Sequence, residues 1–198
     1  EINKIRDYIC SIDGFKEVIP IIRRKNFGRV ENGYDAKDYI YRNHDKIIMM
    51  EDDVVVGKGF LEFMNYGLDQ FEGDRDVIAV SGYLPNSLNG KYQEPFLINL
   101  FTPYGIGVWR DKEDRILKLR NIENYKKWLR DKEKFKLLES EFPELVRALP
   151  LVIDGGEILG DVEHNFIMQY NDMTVLFPPM SISKSIGFDG SGLHSGVD

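Results

Sequence analysis

Lys46-Ile-Ile-Met-Met-Glu-Asp-Asp-Val54 is the stretch that decides the fold. Residues 47–50 are apolar without alternation, which reads as a strand buried on both faces, as in a parallel sheet. Glu51, Asp52 and Asp53 follow at once. Three adjacent carboxylates repel one another unless a cation or solvent offsets the charge. In open α/β sheets, ligands bind beyond the carboxyl ends of the strands. Hard oxygen ligands at such an end suit Mg²⁺ or Mn²⁺, which in turn neutralises a diphosphate. Taken alone, the three acids read equally well as a solvated turn or an acidic cap on the next helix.

Working outward, residues 60, 61, 63, 64, 68 and 71 are apolar at helical spacing. Asp76-Val-Ile-Ala-Val80 reads as a second buried strand. Upstream, Val18-Ile-Pro-Ile-Ile22 has strand length, and 2–12 and 34–41 read as helices around a turn at Asn26-Phe-Gly28. The order strand, helix, strand, helix, strand over 18–80 predicts an α/β fold. The expected architecture is Rossmann-like: a mixed, mainly parallel sheet flanked by helices. Gly and Asn make 82–90 a loop. Strands are expected within 95–102 and at Thr174-Val-Leu-Phe177, and the tail from Ser181 reads as a Gly/Ser-rich loop. The charged span 111–148 is expected to be mostly helical with a solvated outer face. Its buried side chains are expected to be Ile116, Leu119, Tyr125, Trp128, Leu129, Phe135, Leu138, Phe142 and Leu145.

Composition sets the bounds. The chain has 198 residues, 42% hydrophobic and 30% charged, which supports one α/β domain with a core and excludes wholesale disorder. The formal net charge of −7 argues against nucleic acid as a partner, because phosphate backbones require clustered Lys and Arg. Cys10 is the single cysteine, so no intramolecular disulfide forms, as fits a reducing compartment. No apolar run reaches the ~20 residues of a membrane span.

Three stretches together resemble GT-A-fold glycosyltransferases: Ile47-Ile-Met-Met-Glu-Asp-Asp-Val54, Gly59-Phe-Leu-Glu-Phe-Met-Asn65 and Val77-Ile-Ala-Val-Ser-Gly-Tyr83. The resemblance is nearest to bacterial glycosyltransferases similar to the animal N-acetylglucosaminyltransferase that opens complex N-glycan synthesis. Gly14-Phe-Lys16 and Arg24-Lys-Asn-Phe-Gly28 upstream extend it, as do Gly105-Ile-Gly-Val-Trp-Arg110 and Ser185-Ile-Gly-Phe-Asp-Gly-Ser-Gly-Leu-His194 downstream. The resemblance implies a single GT-A-like catalytic domain, residues 1–198, expected to be a fragment of a longer chain whose upstream strand and loop hold the nucleotide base. It implies inverting transfer of a hexosyl or N-acetylhexosaminyl group from a nucleotide-diphospho-sugar, most commonly a UDP-sugar. The acceptor would be a glycan or lipid-linked molecule, in bacterial polysaccharide assembly at the cytoplasmic side of the membrane.

The same resemblance assigns roles. Asp53 becomes the ligand of Mn²⁺ or Mg²⁺, Asp52 faces the donor and Glu51 supports the cluster. An inverting transfer needs a carboxylate to take the acceptor proton, and Asp161 in Gly160-Asp-Val-Glu-His164 is the first candidate, Glu163 the second. Both also suit a helix start, where acids are favoured. Gly105 and Gly107 would let backbone approach the donor, Trp109 would wall the sugar, and His194 would join the metal or diphosphate. A core position for Trp109 is the equal alternative. Lys184 and Arg110 could reach the diphosphate but read as surface cations, and His44 as structural. Two other functions fit the layered fold: nucleotidyl transfer, which wants a Gly-rich basic phosphate loop that this sequence lacks, and a non-catalytic glycan- or partner-binding domain.

Overall fold

The computed structural model describes residues 2–156 and 160–187. The chain divides into two compact units, 1–44 and 45–198. The first holds α1 (Ile2–Ser11) and α2 (Gly28–Ile40). The Asn26 side chain accepts the Gly28 N–H at 2.7 Å, a turn that opens α2. Arg23 pairs with Asp35 and donates to Asn32 Oδ1 at 3.2 Å, while its carbonyl accepts from Arg6 at 3.0 Å.

The run Val18–Ile22 does not form the expected strand. A short strand is stabilised by its ladder and by packing of its face, so β-branched residues alone do not make one. Ile19 and Ile22 stay half exposed, at 50% and 48%.

The second unit carries β1 (Lys46–Met49), β2 (Val54–Val56), α3 (Phe60–Gln70), β3 (Val77–Ser81), β4 (Phe96–Ile98), β5 (Ile106–Trp109), α4 (Arg110–Leu119), α5 (Ile122–Trp128), α6 (Lys132–Glu141), α7 (Pro143–Ile153), α8 (Gly160–Asn171), β6 (Thr174–Phe177) and β7 (Ser183–Ser185). Asn121 and Asp131 accept the backbone N–H three residues on and start α5 and α6, and Pro143 sits in the first turn of α7. These signals cut the charged span into separate helices. Ile116, Tyr125, Leu138 and Leu145 are buried as expected, whereas Leu119, Trp128, Leu129, Phe135 and Phe142 are only partly buried.

The main sheet has the order β1-β5-β3-β6-β4. It is mixed, but the expectation of a mainly parallel sheet is corrected. Among the described residues only β3 and β6 pair in parallel; β5 is antiparallel to both β1 and β3, and β4 is antiparallel to β6. The reason is that Ile106–Trp109 inserts as a strand between β1 and β3. Since β1 and β3 both oppose β5, and β6 follows β3, the carboxyl ends of β1, β3 and β6 lie at one edge of the sheet. That edge receives Glu51–Asp53.

Helix α3 seals the core beneath. Phe60, Met64 and Leu68 are buried with Val77, Val80, Trp109 and Leu176, and each large side chain removed from water contributes about 1.5–3 kcal/mol. Gly67 permits this close approach: a Cβ there would come within 2.8 Å of Val80 and Leu176. Among the described residues, no helix is long and apolar enough to cross a membrane.

Candidate functional site

The acids leave β1 in a turn closed by the Val54 N–H on the Glu51 carbonyl at 3.1 Å. Glu51 and Asp52 are exposed, whereas Asp53 is partly buried. What buries Asp53 is a two-stranded ribbon, β2 against β7, with Val54 opposite Ser185. The Ile186 N–H donates to the Asp53 carbonyl at 2.9 Å, and Ser185 Oγ donates to Asp53 Oδ2 at 3.0 Å. The other oxygen, Oδ1, is buried and has no hydrogen-bond partner. Gly187 lies against the same carboxylate so closely that a Cβ would overlap Oδ2.

The expectation of a loop from Ser181 is therefore corrected for Ser183–Ser185. This strand carries no apolar signal, and a hydroxyl network holds it instead. Ser183 Oγ donates to the Tyr104 carbonyl at 2.6 Å, Ser181 Oγ donates to the Ser183 carbonyl at 2.8 Å, and the Ile182 and Ser183 N–H groups both reach the Gly82 carbonyl. Lys184 alternates with Ser183 and Ser185, so it faces away from Asp53 and is exposed.

A second wall comes from the segment before β5. Tyr104 meets Tyr83 edge to face at 5.0 Å between centroids. Burial, foremost, and then the charges of Asp161, Glu51 and Asp53 push its hydroxyl pKa above the usual tyrosine range, with Tyr83 adding to the effect. One phenol thus feels Asp161 together with two acids more than a hundred residues earlier. Asp161 lies exposed in the first turn of α8. It is held there through Asn165, whose side chain accepts the Phe101 N–H at 2.8 Å and donates to the carbonyls of Phe101 and Asp161 at 3.0 and 2.9 Å. His164 stacks on Phe101 at 4.4 Å. Sequence reasoning missed Tyr104, Ser185 and Asn165. Each acts through a partner distant in the chain, which no local pattern reveals.

Glu163 has a different position. It is 6% exposed, accepts from Arg120 at 2.7 Å on one oxygen, and accepts from the Tyr125 hydroxyl at 2.9 Å on the other. Both oxygens are occupied in a buried ion pair, so this carboxylate joins α4 and α5 to α8 rather than awaiting a proton.

Trp109 belongs to the core, which corrects the sugar-wall expectation. It pairs with Lys46 at the far end of β1, roughly 10 Å or more along the strand from the acids. It is 2% exposed, its indole donates to the Leu68 carbonyl at 3.0 Å, and Lys112 Nζ lies 3.4 Å over its ring. Arg110 follows at that same end. Gly107 also serves packing: a Cβ would press on Leu68 and Met64 at 3.1–3.2 Å. Gly105 does lie at the acid end, with a left-handed φ of +85° that favours glycine, but its open side faces Phe60 and Ser183. His194 lies outside the described residues.

No protein-family model matches this chain, and no curated protein matches it either. The chemistry of the site therefore rests on its own side chains. A buried carboxylate oxygen without a partner fits a hard cation. Mg²⁺ and Mn²⁺ commonly take one or two carboxylates and complete their shells with water and substrate phosphate. Among the described residues, no three His, Cys, Asp or Glu side chains are grouped to hold an ion by themselves. A cation at Asp53 would draw its other ligands from a bound molecule and solvent.

Proposed function

We propose that the chain is a metal-dependent, inverting glycosyltransferase of GT-A type, using a nucleotide-diphospho-sugar and a hydroxyl acceptor on a glycan or lipid-linked molecule. The observation that carries the reading is the Asp53 carboxylate, one oxygen held by Ser185 and the other buried without a partner, at the carboxyl edge of the sheet, where α/β folds bind ligands. The charges of Asp161, Glu51 and Asp53 all act on the Tyr104 hydroxyl, which supports Asp161 as the base of the same site.

In this account Asp53 Oδ1 holds Mn²⁺ or Mg²⁺, Asp52 faces the donor and Glu51 adds negative potential that favours the cation. When bound, the cation neutralises charge that develops on the departing diphosphate. Ser185 and Gly187 fix the Asp53 carboxylate so that one oxygen stays available. Asp161 accepts the acceptor hydroxyl proton as that oxygen bonds to the anomeric carbon. The bond from that carbon to the diphosphate oxygen breaks, and its electron pair leaves with the diphosphate. Burial and the charges of Asp161, Glu51 and Asp53 favour the neutral phenol of Tyr104.

Calorimetry with UDP, GDP and CMP, with and without Mn²⁺, tests the reading. Binding that requires both Mn²⁺ and a nucleoside diphosphate is the expected result. Binding of none of them in the presence of Mn²⁺ would overturn it.

A further inference from the structure

Asp161 lines a groove of about 460 Å³ formed by α8 and the junction of α6 with α7. Leu100, Phe142, Ala148 and Val162 give it an apolar lining, and Glu141, Glu144 and Asp161 supply its charge. Among the described residues, no basic side chain lines it. Glu144 has a partner in Arg147 at 2.8 Å, but that pair is solvent-exposed and screened. Glu141 ends α6, whose last turn has no basic residue. Only Phe142 separates it from the start of α7 at Pro143, so two helix ends meet at this rim.

We propose that this groove is the acceptor site and that it selects an uncharged acceptor carrying an apolar aglycone. The inference rests on Asp161 being the proton acceptor of the transferase reading. Binding sites of this kind are mainly apolar, with a few polar groups that orient the ligand. The aglycone lies along Leu100, Phe142 and Ala148, and the sugar hydroxyl meets Asp161. An acceptor bearing a phosphate close to the reacting sugar would meet carboxylates with no lining cation, so phosphate-linked acceptors are disfavoured.

The test uses n-octyl β-D-glucoside, methyl β-D-glucoside and octyl phosphate as monomeric probes, with amide shifts followed by heteronuclear NMR. Octyl glucoside is expected to bind at least tenfold tighter than either other probe and to shift Leu100, Ala148 and Val162. Ala148→Phe, which fills the groove, should weaken it tenfold or more. Glu141→Lys, a change at an exposed position, is expected to fold and to narrow the gap between octyl glucoside and octyl phosphate at least threefold. Equal binding of octyl and methyl glucosides, or octyl phosphate binding as tightly as octyl glucoside, would overturn the proposal. A Mn²⁺-dependent UDP titration on the same sample separates the two claims. UDP binding without the octyl preference overturns the groove assignment alone; the octyl preference without UDP binding overturns the transferase reading.

Discussion

Ser185 Oγ donates to one oxygen of Asp53 at 3.0 Å, while the other oxygen of that carboxylate is buried without a partner. Leaving a buried acceptor unsatisfied costs about 1–3 kcal/mol, and more for a charged group. Folded proteins carry few such groups. The β2–β7 ribbon thus holds a carboxylate in a state that a bound cation would relieve.

Gly187→Ala tests how tightly that carboxylate is held. The added methyl would overlap Asp53 Oδ2, so the carboxylate must rotate or the ribbon must shift. Calorimetry should find Mn²⁺-dependent UDP binding weakened at least tenfold, by the relation of about 1.4 kcal/mol per factor of ten. Unchanged affinity would mean that the Asp53 orientation does not matter to the ligand.

Asp161 and Glu163 should separate cleanly in paired measurements. Asp161 is exposed, so Asp161→Asn should alter stability by no more than about 0.5 kcal/mol while transfer falls roughly 10²- to 10⁴-fold. Glu163→Ala removes the acceptor of the Arg120 guanidinium and of the buried Tyr125 hydroxyl, and chemical denaturation should show a loss of about 1–3 kcal/mol or more. A stable Glu163→Ala protein that has lost only transfer would reverse the two assignments.

Lys112 predicts a pH dependence. It is buried, donates to the carbonyls of Phe71 and Val77 at 2.6 and 2.8 Å, and lies over Trp109. Burial pulls its pKa down from 10.5 to about 8, against smaller upward effects of Asp111, Asp74 and Glu72. Between these two values the unfolded chain binds the proton and the folded chain does not, so stability from this group rises with pH over that window. Denaturant unfolding at pH 8 and pH 10 should show wild type gaining on Lys112→Met by about 1–3 kcal/mol. Parallel behaviour of the two proteins would contradict the shift. Tyr170, whose pKa burial pushes up to about 12, titrates above this interval when folded.

Much of the fold was legible where burial is continuous. Ile47–Met49, Val77–Val80 and Thr174–Phe177 are strands, and Phe60–Gln70 is a helix, because unbroken apolar runs and helical spacing report directly on packing. The strand at Ile106–Trp109 was hidden by its glycines. Gly107 is small because Leu68 and Met64 press on it, a reason that exists only in three dimensions. That concealment also produced the expectation of a mainly parallel sheet. Ser183–Ser185 was hidden for the opposite reason, since hydroxyl bonds hold it in place of apolar contacts. Val18–Ile22 had the composition of a strand without a ladder. Within the site, the acids after β1 were readable as a group, and Asp161 as a charged helix start. Their common electrostatic effect on Tyr104 was not, because it depends on the Asn165 clamp and on the order of strands in the sheet.

The central claim is that Asp53 holds the cation of a metal–diphosphate complex. Electron paramagnetic resonance of Mn²⁺ measures it directly, because the signal of free Mn²⁺ falls as the ion is bound. Added UDP should remove free Mn²⁺ with wild-type protein well beyond what UDP removes alone, and Asp53→Asn should abolish that excess. If Asp53→Asn retains the full excess, the carboxylate does not hold the ion and the account fails at its centre.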